Sequence, residues 1–312
     1  MVGIKDIARE ADVSISTVSY ALNGSPRISE KTRERVVEIA RDMNYIPNIA
    51  GQNLRRKNTN IIAVYIASYQ GAFYGDLLEG MHQKALELGL ELIVCSGKRS
   101  RLFLPQKMVD GILVIDYTYS NEELLKYADL NYPIVLLDRQ LEHENIRSVL
   151  LDNTIGTKEV VQSFEEYALD KVYFISGPKH NYDSTERLQT GIESAKENGY
   201  DYEVIPGDFE RESGYAAGKH ISLKKGEPIG IFALNDEMAL GIYNYFKETD
   251  FVIGEDVIIR GFDQSQITTF LTPPIQSVSY SQKDWGSTGV ELLMKMMENE
   301  EVENKIIPTH FN

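Results

Sequence analysis

The 312-residue sequence contains a single cysteine, Cys95, and no apolar run near the roughly 20 residues that a membrane span needs. Cys95 follows Leu92-Ile93-Val94, and this setting predicts a buried strand residue rather than a redox or metal site. The N-terminus does not resemble a signal peptide. We therefore expect a cytoplasmic protein with no membrane partner.

Sequence signals of enzyme chemistry are also missing. No nucleophile motif and no Gly-x-Gly-x-x-Gly phosphate-binding loop is present. The five histidines show no spacing typical of a metal site; they are His82, His143, His180, His220 and His310. We expect a protein that is not an enzyme, with no catalytic residues, no metal and no cofactor.

Positive charge is scarce outside the N-terminal segment. Residues 1–60 hold ten Lys and Arg against seven Asp and Glu, whereas the remaining chain holds 22 against 40, giving −15 overall. A basic cap on an acidic body can bind phosphates while the body is repelled by them. The length suits two or three domains with ample core.

The N-terminal apolar pattern predicts two short helices joined by a tight turn. The first apolar face has helical spacing and consists of Ile4, Ile7, Ala8 and Ala11. Ser14 is a good N-cap for the second helix, whose apolar face holds Val18, Ala21 and Leu22. Small polar residues cover the rest of that helix, which favours a helix-turn-helix that enters the DNA major groove. An ordinary helical hairpin within a core is the alternative.

From Asn60 onward, strand and helix patterns alternate. Predicted strands are 61–67, 91–95, 111–115, 134–138, 172–176, 203–205, 229–233 and 257–261. Predicted helices are 73–88, 121–128, 157–167, 185–198, 212–223, 237–247 and 285–298. This alternation indicates parallel sheets flanked by helices. Two such series predict two lobes, with a ligand held between the carboxyl ends of their strands.

The run "IKDIAREADVSISTVSYALNGSPRISEKTRERVVEIARDMNYIPN" resembles the DNA-binding headpiece of the LacI/GalR family of bacterial transcription regulators. The segments "MVDGILVI", "IVLLDR", "GIFALNDEMALGIYNYFKE", "VIIRGFDQS" and "LTPPIQSVS" resemble the effector-binding core of that family, in the expected order. The resemblance implies an α/β protein with an all-α headpiece (1–46), a hinge helix and linker (47–60), and a core (61–312). That core would be two-lobed, periplasmic-binding-protein-like and dimerising, with parallel sheets.

The resemblance also assigns the DNA contacts. Ile15, Ser16 and Tyr20 occupy positions of the recognition helix that choose bases. Tyr20 stands where arginine or histidine is common, so the usual guanine contact is absent there, and its phenol could instead rest on the DNA backbone. Phosphate-anchoring or capping positions hold Thr17, Ser19 and Asn23. Three further cations could reach phosphate or remain solvated, namely Arg27, Lys31 and Arg33.

The predicted hinge helix should be unstable alone, because Gly51, Gln52 and Asn53 are weak helix formers. In the family this helix folds on operator DNA and a leucine wedges into the minor groove. Leu54 occupies that position here. Family members commonly carry alanine-arginine-serine in place of Gly51-Gln52-Asn53.

Effector contacts are expected from five residues. Phe73 and Tyr74 stand where the family places aromatic rings against a sugar, although both could be core residues at a helix start. Asn235 is expected to bind the ligand, with Asp236 mainly capping the next helix. Asp263 ends a strand and can accept two hydroxyls.

Arg187 is the fifth candidate. It precedes Gly191 by four residues rather than the usual three, so the site either recovers it through an inserted residue or lacks this clamp. Two aromatic residues follow the last motif: Tyr280 replaces a glutamine that is frequent in the family, and Trp285 either lines the cleft or anchors the last helix.

One segment departs from the family pattern. Only 13 residues lie between Cys95 and Val109, where relatives fit a whole crossover helix. This segment is too short and contains a proline, so the first lobe is predicted to lack that helix. The region lies near the dimer face in the family.

These patterns predict a homodimeric repressor of a carbohydrate-utilisation operon. Its partners would be palindromic operator DNA and a small sugar or sugar phosphate bound between the lobes. The alternative is a regulator controlled by a phosphorylated carrier protein. A periplasmic sugar-binding protein is a weaker rival because of the attached headpiece.

Overall fold

The computed structural model describes residues 2–46, 58–69, 73–169 and 171–311. The chain divides into two units, Met1–Lys57 and Asn58–Asn312. Leu54 and most of the predicted hinge segment lie outside the described residues. No helix in the described part is long and apolar enough to cross a membrane.

The first unit contains three helices, α1 (Ile4–Glu10), α2 (Ile15–Leu22) and α3 (Glu30–Asp42). Ser14 and Ser29 accept hydrogen bonds at the N-termini of α2 and α3, from the backbone of Thr17 and Thr32, respectively. Their small core is built on fully buried Ile7, Val18 and Val36. The predicted helix-turn-helix and its Ser14 cap are confirmed.

The first lobe of the second unit is a parallel six-stranded sheet in the order β11-β5-β4-β3-β1-β2. Its strands are β1 (Ile61–Ile66), β2 (Glu91–Cys95), β3 (Gly111–Ile115), β4 (Ile134–Leu136), β5 (Ile146–Leu151) and β11 (Lys305–Ile307). Its helices are α4 (Phe73–Glu87), α5 (Asn121–Ala128) and α11 (Gln282–Met297). β3 and β4 are buried throughout, which fits a sheet covered on both faces.

The second lobe is a second six-stranded sheet, in the order β12-β10-β9-β8-β6-β7. Its strands are β6 (Lys171–Ser176), β7 (Asp201–Pro206), β8 (Ile229–Ala233), β9 (Val257–Phe262), β10 (Gln276–Ser279) and β12 (His310–Phe311). Its helices are α6 (Ile155–Ser163), α7 (Tyr182–Glu197), α8 (Arg211–Gly218), α9 (Asp236–Phe246) and α10 (Gln266–Thr269). Neighbouring strands in the two sheets run parallel, except that β10 and β12 are antiparallel.

The predicted two-lobed, mainly parallel architecture is confirmed, and several details of the prediction are wrong. Strands β5, β10, β11 and β12 were not predicted; the last two have only three and two residues. The helix predicted over 212–223 ends at Gly218, where a side chain would clash with the ring of Tyr245. The helix predicted over 157–167 changes to a 3₁₀ turn after Ser163.

The short segment after β2 contains only a 3₁₀ turn, Ser100–Phe103, so the predicted loss of the crossover helix is confirmed. Two buried side chains, Leu104 and Arg101, cover the sheet in its place. The Arg101 guanidinium lies 3.2 Å from an Asp116 carboxylate oxygen and 4.2 Å from the centre of the Tyr119 ring. The buried charge is therefore paired, as a charge removed from water must be.

The chain crosses between the lobes three times: after β5, after β10 and between β11 and β12. Thr309 lies in the third crossing and is fully buried. Its hydroxyl donates to the Asp152 carbonyl at 2.6 Å and accepts from the Gly156 backbone N–H at 3.2 Å, so it ties the third crossing to the first.

Helices α4 and α11 pack together closely in the first lobe. A Cβ on Gly80 would lie 2.1 Å from the Lys283 carbonyl oxygen, and a Cβ on Gly286 would lie 2.2 Å from that of Leu77. Only glycine fits at these two positions. The two glycines therefore set the close packing distance between α4 and α11 in the first lobe.

Candidate DNA and effector sites

The surface of α2 carries the residues predicted to contact DNA. Val18 and Ala21 face the core, whereas 40% of Ile15 and 36% of Tyr20 remain exposed. The remaining candidates are exposed or half-buried: Ser16, Thr17, Ser19 and Asn23. The structure thus brings all six described candidates to the surface of one helix or its end.

Several of these polar groups also have partners within the helix. The Ser14 hydroxyl lies 2.8 Å from the hydroxyls of both Ser16 and Thr17. The Asn23 amide donates to the Ser19 carbonyl at 2.7 Å. Thr17 and Asn23 therefore make the local hydrogen bonds expected of capping residues. A phosphate contact by the same side chains is still compatible with these bonds.

Tyr20 has a cationic neighbour that the sequence did not reveal. Arg27 Nη1 donates to the Tyr20 hydroxyl at 3.2 Å, and the guanidinium carbon lies 5.6 Å from the ring centre. Arg33, by contrast, pairs with Glu30 at 2.8 Å and donates to the Ser25 carbonyl at 3.0 Å, so it braces the turn before α3. Of these two arginines, Arg27 is the one placed beside the recognition surface.

A cavity of about 350 Å³ lies between the two lobes of the core. Its walls come from the segments that follow the carboxyl ends of strands in both sheets. All five residues predicted to bind an effector line it: Phe73, Tyr74, Arg187, Asn235 and Asp263. A volume at the lower end of the usual range, about 300–1,000 Å³, suits a small ligand.

Aromatic side chains form one wall of the cavity. Phe73 contacts Tyr74 and Trp285 edge to face, with ring centres 5.0 Å and 6.1 Å away. The Trp285 indole also donates to the Val149 carbonyl at 2.7 Å. Both roles considered for Trp285 are thus present, because it lines the cavity and fixes α11 to the first sheet.

Arg187 occupies the cavity wall despite its shifted spacing. Its Nε donates to Asn153 Oδ1 at 2.7 Å, and its Nη1 donates to the Leu234 carbonyl at 2.8 Å. The guanidinium lies 3.5 Å from the centre of the Phe262 ring. These contacts hold the group rigidly at the cleft; Asn153, which orients it, was missed from the sequence.

Asn235 caps helix α9, with its Oδ1 accepting from the Met238 backbone at 3.0 Å and its Nδ2 donating to the Phe209 carbonyl at 2.9 Å. The capping role assigned to Asp236 is therefore wrong. Asp236 is buried and accepts from the Ser277 hydroxyl and the Ser265 backbone, both at 2.6 Å. Burial and, second, the nearby Asp263 carboxylate together raise the pKa of Asp236 to about 7.

Asp263 is buried at the end of β9 with a φ of 110°, a conformation that L-residues rarely adopt. Its Oδ1 accepts from the Tyr280 hydroxyl at 2.8 Å. Burial raises the pKa of Asp263 to about 6, although Arg187 and the Tyr280 hydrogen bond both act to lower it. Tyr280 therefore supports the cavity by holding this carboxyl group.

Two further buried carboxyl groups line the cavity, and neither was singled out from the sequence. Asp138 follows β4 and pairs with Arg139 at 2.7 Å. Asp183 accepts from the Asn153 amide at 2.8 Å and lies four residues before Arg187 on α7. Burial raises the pKa of both groups. Helical spacing to Arg187 was the available signal for Asp183.

A helix-turn-helix unit on the same chain as a two-lobed, periplasmic-binding-protein-like core is the arrangement of a DNA-binding transcription regulator. Residues 3–48 match the family model of bacterial regulatory proteins of the lacI family, and residues 161–311 match a periplasmic binding protein-like domain. The chain belongs to the LacI family and is a DNA-binding transcriptional repressor of that family, as its motifs predicted.

Similar proteins span four-fifths of the chain or more. The crystal structure of a sugar-binding transcriptional regulator of the LacI family from Enterococcus faecalis is 44% identical, with a TM-score of 0.78, and covers 82% of this chain and 97% of that one. Catabolite control protein A of Priestia megaterium is 29% identical over 98% of this chain and 96% of its own length. A complex of the regulator CelR with cellobiose is 26% identical, with a TM-score of 0.74, over 100% and 98% of the two chains.

Proposed function

We propose that this protein represses a carbohydrate-utilisation operon and responds to a small sugar bound between the lobes of its core. The observation that carries the proposal is the cavity between the lobes, which is lined by Phe73, Tyr74, Arg187, Asn235 and Asp263. One wall is aromatic, and the opposite wall carries buried carboxyl, amide and guanidinium groups.

This combination matches the two surfaces of a pyranose or furanose. Aromatic faces pack on the C–H side of a sugar ring. Carboxylate and amide groups accept and donate hydrogen bonds to hydroxyls, and a buried polar group rejects ligands that leave it unpaired. The sugar-binding and cellobiose-bound relatives support the same ligand class.

The headpiece would supply the DNA contacts of a homodimer, with each α2 in one half-site of a palindromic operator. Effector binding changes how the lobes close and so changes operator affinity, and the operator must change effector affinity by the same factor. Ile15, Ser16 and Tyr20 are the proposed base-reading residues, with Thr17, Ser19 and Asn23 on the phosphates.

Calorimetry of the full chain against mono- and disaccharides tests the ligand. Operator binding can be followed by anisotropy, using a site selected from a randomised palindromic library. We expect one sugar to bind and to shift operator affinity. Phe73→Leu should weaken binding of that sugar, whereas Phe270→Leu, at an exposed position, should leave the affinity unchanged. If no sugar binds or alters DNA binding, the proposal is wrong.

Control by a phosphorylated carrier protein remains the alternative, and it requires basic side chains available on the first lobe. Three arginines there are turned toward the protein instead. Arg101 pairs with Asp116, Arg139 donates to the Asp116 carbonyl at 2.6 Å, and Arg147 donates to the Val302 carbonyl at 2.6 Å. These contacts remove three arginines from such an interface and leave Lys98 and Arg99 as an exposed pair that a carrier protein could use.

A further inference from the structure

The effector cavity has an excess of acidic groups. Among the described residues that line it, seven carry carboxyl groups and two carry guanidinium groups. The acidic residues are Asp138, Asp183, Asp208, Glu210, Glu212, Glu237 and Asp263, and the basic ones are Arg187 and Arg211.

Both arginines are already engaged with the protein. Arg211 pairs with Glu237 at 2.9 Å. Arg187 has an Nη2 that lies 3.9 Å from Asp183, and its Nε and Nη1 donate to Asn153 and to the Leu234 carbonyl. Each guanidinium thus already has a carboxylate nearby, and the described lining residues offer no further cation for a phosphate, which usually takes a dedicated arginine or lysine.

Two of the buried carboxyl groups also lack a donor on one oxygen. Asp183 and Asp263 are both more than nine-tenths buried and line the cavity. In each, Oδ1 is the oxygen that accepts, from Asn153 or from Tyr280. No donor in the described part of the chain reaches either Oδ2. Both Oδ2 atoms are open to the cavity rather than buried. A ligand that displaces water from them must supply the donors itself, because a buried acceptor without a partner is costly.

We infer that the effector is an uncharged or cationic hydrogen-bond donor, a free sugar or an amino sugar, and that phosphorylated sugars are excluded. The inference rests on the proposed sugar function and narrows it. Hydroxyl and ammonium groups donate to carboxylate oxygens. A phosphate dianion offers only acceptors, and in this cavity it would lie among an excess of like charges, beside two guanidinium groups that already have carboxylate neighbours.

The test compares matched ligands on the full chain at pH 8 by calorimetry. One set is glucose, glucose 6-phosphate and glucosamine; the second is galactose, galactose 6-phosphate and galactosamine; the third is ribose and ribose 5-phosphate. In whichever set binds, the phosphorylated form should bind at least about 100-fold more weakly than the free sugar. The amino form should bind at least as tightly as the free sugar.

Two controls locate the effect in the cavity. The double variant Asp183→Asn, Asp263→Asn keeps the shape and Oδ1 of each side chain but removes both charges. It should reduce the affinity ratio between free and phosphorylated sugar by about tenfold or more. Discrimination should persist in 0.5 M NaCl, because buried charges are screened less than the acidic surface.

Outcomes that overturn the inference are distinct from failure of the sugar proposal. A phosphorylated sugar that binds as tightly as its parent overturns the inference and leaves the sugar proposal standing. If the discrimination against phosphorylated sugars disappears in high salt, it comes from the overall charge of −15 and not from the cavity, and the inference is overturned. If no sugar in any form binds, both fail together.

Discussion

Arg27 Nη1 donates to the Tyr20 hydroxyl at 3.2 Å, so a guanidinium is held beside the recognition-helix position where this chain lacks an arginine of its own. The two residues lie seven positions apart across the end of α2. We expect them to read the operator as a pair, with Tyr20 orienting the guanidinium that contacts a base edge.

This pairing predicts that Tyr20→Phe and Arg27→Ala alter preference at the same base pair of the half-site. The expected loss of discrimination is about 1–3 kcal/mol, and the double variant should lose little more than either single one. Selection from randomised half-sites measures it, with Lys31→Ala as the surface-cation control. If Arg27→Ala instead weakens binding to all sequences equally, and lowers the slope of log affinity against log salt concentration by about one, Arg27 contacts only phosphate.

A second prediction concerns the hinge. Leu54→Ala should weaken operator binding by about 1–3 kcal/mol without lowering stability, because an apolar wedge offsets the unstacking of a base step. The position rests on the family motif. Operator affinity and a circular-permutation bending assay check it. An unchanged affinity on an unbent operator would remove the wedge from the mechanism.

Asn235 both caps α9 and lines the cavity, so its two roles must be separated. Asn235→Asp keeps the capping oxygen for Met238 but loses the amide donor, both toward a ligand and toward the Phe209 carbonyl. It should cost about 1–3 kcal/mol of effector affinity, and any loss of stability comes from the Phe209 contact rather than from the cap. Ser120→Ala is the control, because Ser120 caps α5 without lining the cavity. Equal effector affinity in Asn235→Asp and the parent would place the ligand elsewhere.

The Asp263 carboxyl group should make stability depend on pH. Its pKa is raised from 3.8 to about 6, so the folded state binds the proton more tightly than the unfolded state does. The stability gained from this proton is present below about pH 4 and is lost as the pH rises through about 6.

Asp263→Asn keeps Oδ1 for Tyr280 and carries no charge. It should therefore stabilise the effector-free protein by about 1–3 kcal/mol at pH 8 and by almost nothing near pH 4. Urea unfolding across this range measures the difference, with the exposed Asp250→Asn as control. A difference independent of pH would contradict the expectation.

The glycine contact between α4 and α11 gives a packing prediction. Gly286→Ala should destabilise the core by about 1–3 kcal/mol, because the new Cβ would lie 2.2 Å from the Leu77 carbonyl oxygen. Gly75→Ala on α4 meets open space and should be neutral or stabilise by about 0.5–1 kcal/mol. Thermal unfolding of the two variants checks this, and equal melting temperatures would contradict it.

Much of this arrangement was predictable because it is encoded locally. The Ser14 cap and the alternation of strands and helices depend on residues close in sequence, and both were confirmed. Strands β11 and β12 were missed because their five residues are placed by pairing with β5 and β10, far away in the chain. Pairing at that distance leaves no periodic pattern to detect.

The site shows the same division. Motif resemblance identified Asn235 and Asp263, which both line the cavity, although it exchanged the capping roles of Asn235 and Asp236. Which of two adjacent polar residues caps a helix depends on the partners of the other one. Ser277, which holds Asp236, is 41 residues away, so no local pattern could have revealed it.

Thr309 has a consequence for how the two lobes turn. Its hydroxyl binds the Asp152 carbonyl and the Gly156 backbone, so two of the three crossing segments are fastened to each other at one side chain. Segments joined in this way bend together about a common axis. We therefore expect the crossing segments to fix the axis about which one lobe rotates relative to the other. An effector would then determine only the angle of that rotation. Ligands of different shape would then act as stronger or weaker versions of one signal.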